Sequence, residues 1–200
     1  MDSTQPLFTH EDFTACLPPA RLARQRFVRC RFAGLDLRET AIEGCTFEDC
    51  DFSFADFGGQ TVLRSAFLGC DFSNALLFST TFTDCKMTGS AFDGADCRGM
   101  AIERGDWSYT GLSRVTFKKQ DLRGVSFTAA NLFGCTFLDC DLREASFSGA
   151  QMTDVSLCGS DLRGTDFTGI RLMTLDLRGA VADLGLCVDL ARAMGLKFRE

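Results

Sequence analysis

Eleven cysteines, a single histidine and a dense set of aspartates and arginines are the groups in this 200-residue chain that could do chemistry. Thiols that hold a metal ordinarily come in CxxC pairs. None occurs here, and neighbouring cysteines such as Cys45 and Cys50 are five positions apart. His10 has no cysteine or serine nucleophile placed beside it, and no glycine loop stands before a helix to hold phosphate. These patterns point away from an enzyme and call for no cofactor and no metal.

The spacing of the cysteines is informative in another way. Cys30, Cys45, Cys50, Cys70, Cys85, Cys135 and Cys140 all fall on one phase of a five-residue repeat. Two residues after that phase comes a large apolar side chain, as in Phe127, Leu132, Phe137, Leu142 and Phe147, and the register holds from Leu22 to Leu177 without an inserted or deleted residue. The cysteine phase is otherwise filled mainly by Ala, Ser, Thr and Val, so cysteine serves there as a compact hydrophobe. Most glycines fall two residues after the large apolar position, where a turn needs freedom in φ. An internal repeat of this kind dictates the fold.

A period of five fits neither the 3.6 of a helix nor the 2.0 of a long strand. It suits a chain that turns a corner every five residues, and four such sides close a square coil of 20. Residues 20 apart then stack at about 4.8 Å. Opposite charges recur at that spacing: Arg29 with Asp49, Arg31 with Asp51, Lys86 with Asp106, Glu103 with Arg123, Lys119 with Asp139, and the run Arg64, Asp84, Arg104. The expected fold is an all-β repeat solenoid, a quadrilateral β-helix of about eight coils and roughly 38 Å, right-handed because parallel crossovers almost always are.

Three segments follow. Residues 1–20 lie outside the clear repeat and read as an N-terminal cap, with a short helix starting near Thr9 and ending at Pro18 and Pro19. Residues 21–180 form the β-helix. Its least ideal stretch is Ala95 to Arg114, where Cys97 is small for a central position, Met100 large for its slot and Trp107 bulky, so a distorted coil is expected there. Residues 181–200 carry a short α-helix, with Leu186, Leu190 and Met194 at helical spacing, Gly195 as its stop, and Leu196 to Phe198 alternating like a short strand.

The net charge of −6 disfavours direct nucleic-acid binding. The start of the chain lacks a secretory pattern, no apolar run is long enough to span a membrane, and free thiols suit a reducing compartment; the expected location is cytoplasmic. The surface offers two sets of contact residues: an acidic group, Glu43, Glu48, Asp49, Asp51 and Asp71, and aromatic side chains at outward positions, Phe54, Phe78 and Phe133.

The small–polar–Leu/Phe–x–Gly pattern resembles the pentapeptide-repeat family, whose members form a right-handed quadrilateral β-helix. The segments Phe47–Phe52 and Phe67–Phe72 and the tail CVDLARAMGLKF are similar to the Qnr and MfpA group of quinolone-resistance proteins and to gyrase-protecting immunity proteins. The resemblance implies a rod that binds DNA gyrase or a related type II topoisomerase as a partial DNA mimic, and a two-fold homodimer through the C-terminal helix, here Leu186, Leu190, Met194, Leu196 and Phe198. The chain lacks the two projecting loops that interrupt the repeat in Qnr, which makes it more like MfpA. Mimicry is limited in charge: DNA carries about one negative charge per 1.7 Å, whereas two such rods end to end carry roughly one per 7 Å. The other reading is a structural or adaptor solenoid for a different protein, since fold does not fix function.

If the repeat phase is right, the seven inward cysteines are core. Native thiol labelling should modify few of them, and a reducing agent should leave the melting temperature unchanged; rapid labelling of most of them contradicts the register.

Overall fold

The computed structural model describes residues 5–15 and 20–197, and within it the five-residue phase becomes the side of a coil. Large apolar residues point inward and stack on their equivalents 20 residues on: Phe27 on Phe47 at 4.9 Å between ring centroids, Phe47 on Phe67 at 4.7 Å, Phe32 on Phe52 at 4.8 Å and Phe72 on Phe92 at 5.0 Å. Rings on adjacent sides meet edge to face, as Phe27 does with Phe32. Both arrangements suit the ring quadrupole. The result is one continuous column of buried side chains along the axis.

The chain wraps this core as parallel strands joined at 20-residue register. One side stacks Arg26–Val28, Thr46–Glu48 and Ala66–Leu68, and the side before it stacks Arg21–Ala23, Ala41–Glu43 and Thr61–Leu63. The two sides merge in the six-residue strands Thr81–Lys86 and Ala101–Asp106. Further along, Thr116–Lys118 pairs with Thr136–Leu138, and isolated bridges such as Asp121 to Asp141 carry the ladder on. Most corners fall two residues after a central residue, in the left-handed region: Gly34, Gly44 and Gly59 there have φ of 68°, 63° and 73°.

The N-terminal residues correct the expected helix. Leu7–Thr9 is a strand on Arg26–Val28, with Phe8 opposite Phe27, and Phe13 stacks on Phe32 at 4.7 Å. Phe8 and Phe13 are themselves five apart, so this segment is a further piece of coil, 19 rather than 20 residues from its partner. Backbone pairing with the exposed edge outweighs weak local helix propensity. Pro18 and Pro19 lie outside the described residues.

The distorted coil falls where the mismatched core residues predicted. Gly105 lies within the strand Ala101–Asp106, opposite Cys85, at φ 120°, and a Cβ there would come within 2.1 Å of the Cys85 carbonyl oxygen. Trp107 is fully buried, with its Nε1 unpaired. Just beyond, the ladder between residues 93–104 and 113–123 parts, leaving a cleft of about 880 Å³. Elsewhere no loop interrupts the repeat among the described residues.

At the far end, α1 (Leu184–Ala193) lies across the last coil. Asp183 caps it, accepting from Leu186 N at 2.9 Å while its other oxygen accepts from Gly164 N at 2.6 Å, so a single carboxylate ties helix to solenoid. Gly195, φ 88°, ends it, with Leu196 N donating to Ala191 O. Leu196 and Lys197 form no strand.

Phe137 is fully buried between Phe117 and Phe147. Phe137→Ala should cost about 3–5 kcal/mol through lost burial and the cavity left behind, read by chemical denaturation; a loss below about 1 kcal/mol would mean that the core is not organised around it.

Candidate partner-binding surface

Each side of the coil presents two or three outward residues, and their placement depends on the turn that follows. An aspartate just before a central residue accepts from the main-chain N–H two positions on: Asp51 from Ser53 at 2.9 Å, Asp56 from Gly58 at 2.8 Å, Asp71 from Ser73 at 2.8 Å. Where the second residue is arginine, its guanidinium also closes on the same carboxylate. Asp36–Arg38, Asp96–Arg98, Asp121–Arg123, Asp141–Arg143, Asp161–Arg163 and Asp176–Arg178 all pair this way, at 2.5–2.8 Å. The Asp-x-Arg spacing in the sequence is the signal for these pairs, and a search at 20-residue spacing alone passes over them.

The acidic candidates are largely neutralised. Glu43 is held by Arg21 and Arg64 together, Glu48 by Nε and Nη2 of Arg26, Asp49 by Arg29 at 3.8 Å and Asp51 by Arg31 at 3.6 Å. Asp71 has no ion-pair partner among the described residues. The expected pairs Arg29–Asp49 and Arg31–Asp51 form, as does Asp84–Arg104 at 2.6 Å. Lys86–Asp106, Glu103–Arg123 and Lys119–Asp139 do not appear among the described ion pairs. Glu103 accepts instead from Thr83 Oγ1 at 2.9 Å, and Arg123 turns to Asp121 and to Asp141, because a carboxylate in its own turn is nearer than one across the parted ladder. The like charges Arg123 and Arg143 are separated in the same way, by Asp141.

The three aromatics differ. Phe54 is 64 % exposed and Phe78 53 % exposed, on consecutive coils with exposed Leu76. Arg98 lies 5.8 Å over the Phe78 ring. Phe133 is half-buried beneath Arg114, at 5.4 Å, four coils from Phe54 and so about 19 Å away along the axis. Phe54 occupies a corner at φ 59°, in the column where Gly34, Gly94 and Gly134 stand. A bulky residue in that region costs about 1–2 kcal/mol, a cost that Phe54 shares with other non-glycine corners such as Asn74 and Ala129.

At the C-terminal end the expected dimer residues separate into two groups. Leu186 is buried and Leu190 half-buried against the chain's own last coil, because the helix must cover that open end. Met194, 67 % exposed, and Leu196, 60 % exposed, face outward with Leu184 and Val181. Phe198 lies outside the described residues. A hollow of about 700 Å³ remains between helix and coil, lined by Phe167, Ile170, Leu172 and Leu186 among others.

The groups that could have done chemistry are spoken for. Burial pushes the thiols of Cys85 and Cys135 up to about 11 and that of Cys97 up to about 12. All described cysteines are free, and Cys187 alone among them is exposed. No cluster of metal-holding side chains occurs among the described residues, and no described helix is long and apolar enough to cross a membrane.

Two models of pentapeptide repeats match this sequence, one over residues 20–59 and one over residues 110–183, together more than half the chain. The chain belongs to the pentapeptide-repeat family. Among solved structures of that family's fold, full-length QnrB1, a plasmid-mediated fluoroquinolone resistance protein, superposes with a TM-score of 0.82 at 22 % identity, over 96 % of this chain and 98 % of that one. A trypsin-treated QnrB1 variant gives 0.83 at 24 %, over 98 % of each. No curated protein sequence matches. The fold is thus shared over nearly the whole of both chains.

The Asp–Arg pairs set the acid behaviour. Hydrogen bonding from the Arg38 guanidinium, then from its main-chain N–H, lowers Asp36 to about 2, and the partner arginines likewise lower Asp121, Asp141, Asp161 and Asp176. A folded-state value below the unfolded one means stability that is complete above about pH 4 and is lost as pH falls toward 2. Thermal melts from pH 6 to 2 should show a flat plateau and then a fall below pH 4, made shallower by salt, which screens the exposed pairs; a fall centred near pH 6 would assign the loss to other groups.

Proposed function

We propose that this pentapeptide-repeat protein is a non-enzymatic binder of DNA gyrase or a related type II topoisomerase and protects it from inhibitors. The observation that supports this most is end-to-end agreement with a fluoroquinolone resistance protein, over 98 % of both chains and including the terminal helix. The ion pairing described above narrows how it would bind. With Glu43, Glu48, Asp49 and Asp51 already held by arginines, a wholly electrostatic imitation of DNA is weak, and shape together with Asp71 and the Phe54–Leu76–Phe78 patch carries recognition. In this reading the rod pairs with a second copy through Met194, Leu196 and Phe198, giving an isologous interface and a molecule of twice the length. Its site of action is the cytoplasm. An adaptor solenoid for some other protein is the reading to which failure of the first would lead.

Supercoiling by purified gyrase, with and without a fluoroquinolone, tests it directly: added protein should restore supercoiling in the presence of drug, and no effect at micromolar protein rejects the topoisomerase reading. Phe54→Gly should leave the melting temperature unchanged or higher, since the corner strain is relieved, while weakening protection about tenfold, the loss typical of one contact aromatic. Met194→Asp should give a folded monomer by light scattering, and a wild-type chain already monomeric removes the dimer.

A further inference from the structure

The parted ladder has the geometry of a binding site. One coil earlier, Leu77 N donates to Asp96 O at 2.9 Å and Ser79 N to Arg98 O at 3.0 Å. The equivalent bonds from Cys97 N and Gly99 N to the next coil are not made among the described residues, nor are those from Thr116 N and Asp121 N back to the preceding one. Two facing backbone edges therefore line a cleft of about 880 Å³ with main-chain donors and acceptors left over. Unpaired edges of this kind are templates for another strand.

One amide group already occupies the opening. Gln120 Nε2 donates to Met100 O at 2.8 Å, and Gln120 Oε1 accepts from Ile102 N at 3.2 Å. Donor and acceptor are thus presented to the upper lip as a peptide unit of an added strand would present them. The small side chain of Cys97, at a position filled elsewhere mostly by Leu or Phe and always by a larger residue, leaves the room. Charge selects among strands. The lower lip carries Arg114 and Lys118 with no carboxylate at ion-pair distance among the described residues, whereas Arg98 on the upper lip is taken by Asp96, and Asp93 is the one lining acid without a cation.

We propose that this cleft binds an extended acidic polypeptide segment of a partner protein, which enters between the two lips, pairs with both edges through its main chain and sets a carboxylate against Lys118. The site adjoins the Phe54–Phe78 patch through Arg98, which lies over Phe78, and is separate from the helix end; it stands whether or not the partner is a topoisomerase.

The probe is a capped octapeptide of alternating Thr and Glu, titrated into the ¹⁵N-labelled full chain. Saturable amide shifts are expected for residues 93–104 and 113–123. A twin peptide N-methylated at one central residue should bind about tenfold more weakly, the loss of one main-chain hydrogen bond. Lys118 is exposed, so Lys118→Glu should fold normally and move the preference to a Thr–Lys octapeptide. The proposal is overturned by an absence of shifts at millimolar peptide, by equal binding of the methylated twin, by a charge preference that Lys118→Glu leaves unchanged, or by shifts that follow protein concentration instead of peptide, which would mean that the cleft closes on a second copy.

Discussion

The main-chain hydrogen bond between residues one coil apart is the constraint on which this molecule rests. For it to recur on every side, each side must be five residues long, nearly every corner turns through a left-handed residue, and each inward position must hold a side chain that fills its share of a narrow shaft. Corners without glycine, such as Arg24, Asn74 and Asp139 at φ 52°, 57° and 53°, show that ladder bonds on both flanks outweigh the local cost of the turn. Small residues at the inward corner positions follow from the same geometry, which is why cysteine, a reactive residue elsewhere, is inert packing here.

Much of this was legible in the sequence because the period is strict. The central residues from Leu22 onward, the inward cysteines and the helix ended by Gly195 are each a local pattern with one physical reading. The N-terminal coil was harder to read: Phe8 and Phe13 keep the five-residue spacing, but a one-residue slip separates them from the main register, and Thr9 with the acids after it mimics a helix start. The surface was less legible still. Charges 20 apart pair only when no nearer partner competes, and Arg123 and Arg143 have one two residues back. Burial of Leu186 was hidden because helical spacing identifies an apolar face without saying what covers it.

The surface that results is quieter than its composition suggests. An excess of acids is woven through with arginines into alternating chains, such as Asp121, Arg123, Asp141, Arg143, Asp161 and Arg163. Exposed pairs of this kind contribute little individually. Their effect is to lower the field of the rod, so that its surface stands out only where pairing fails or an aromatic replaces a small corner residue.

Gln120 has a consequence for how the molecule comes apart. In a solenoid each coil touches only its neighbours, so cooperativity is passed along by nearest-neighbour coupling. Where the Gln120 amide stands in for a backbone edge, that coupling is at its weakest, and the rod divides into two blocks joined mainly through Trp107, Tyr109 and Gly111. Across that seam the continuous column of buried side chains, more than the backbone ladder, holds one block to the other.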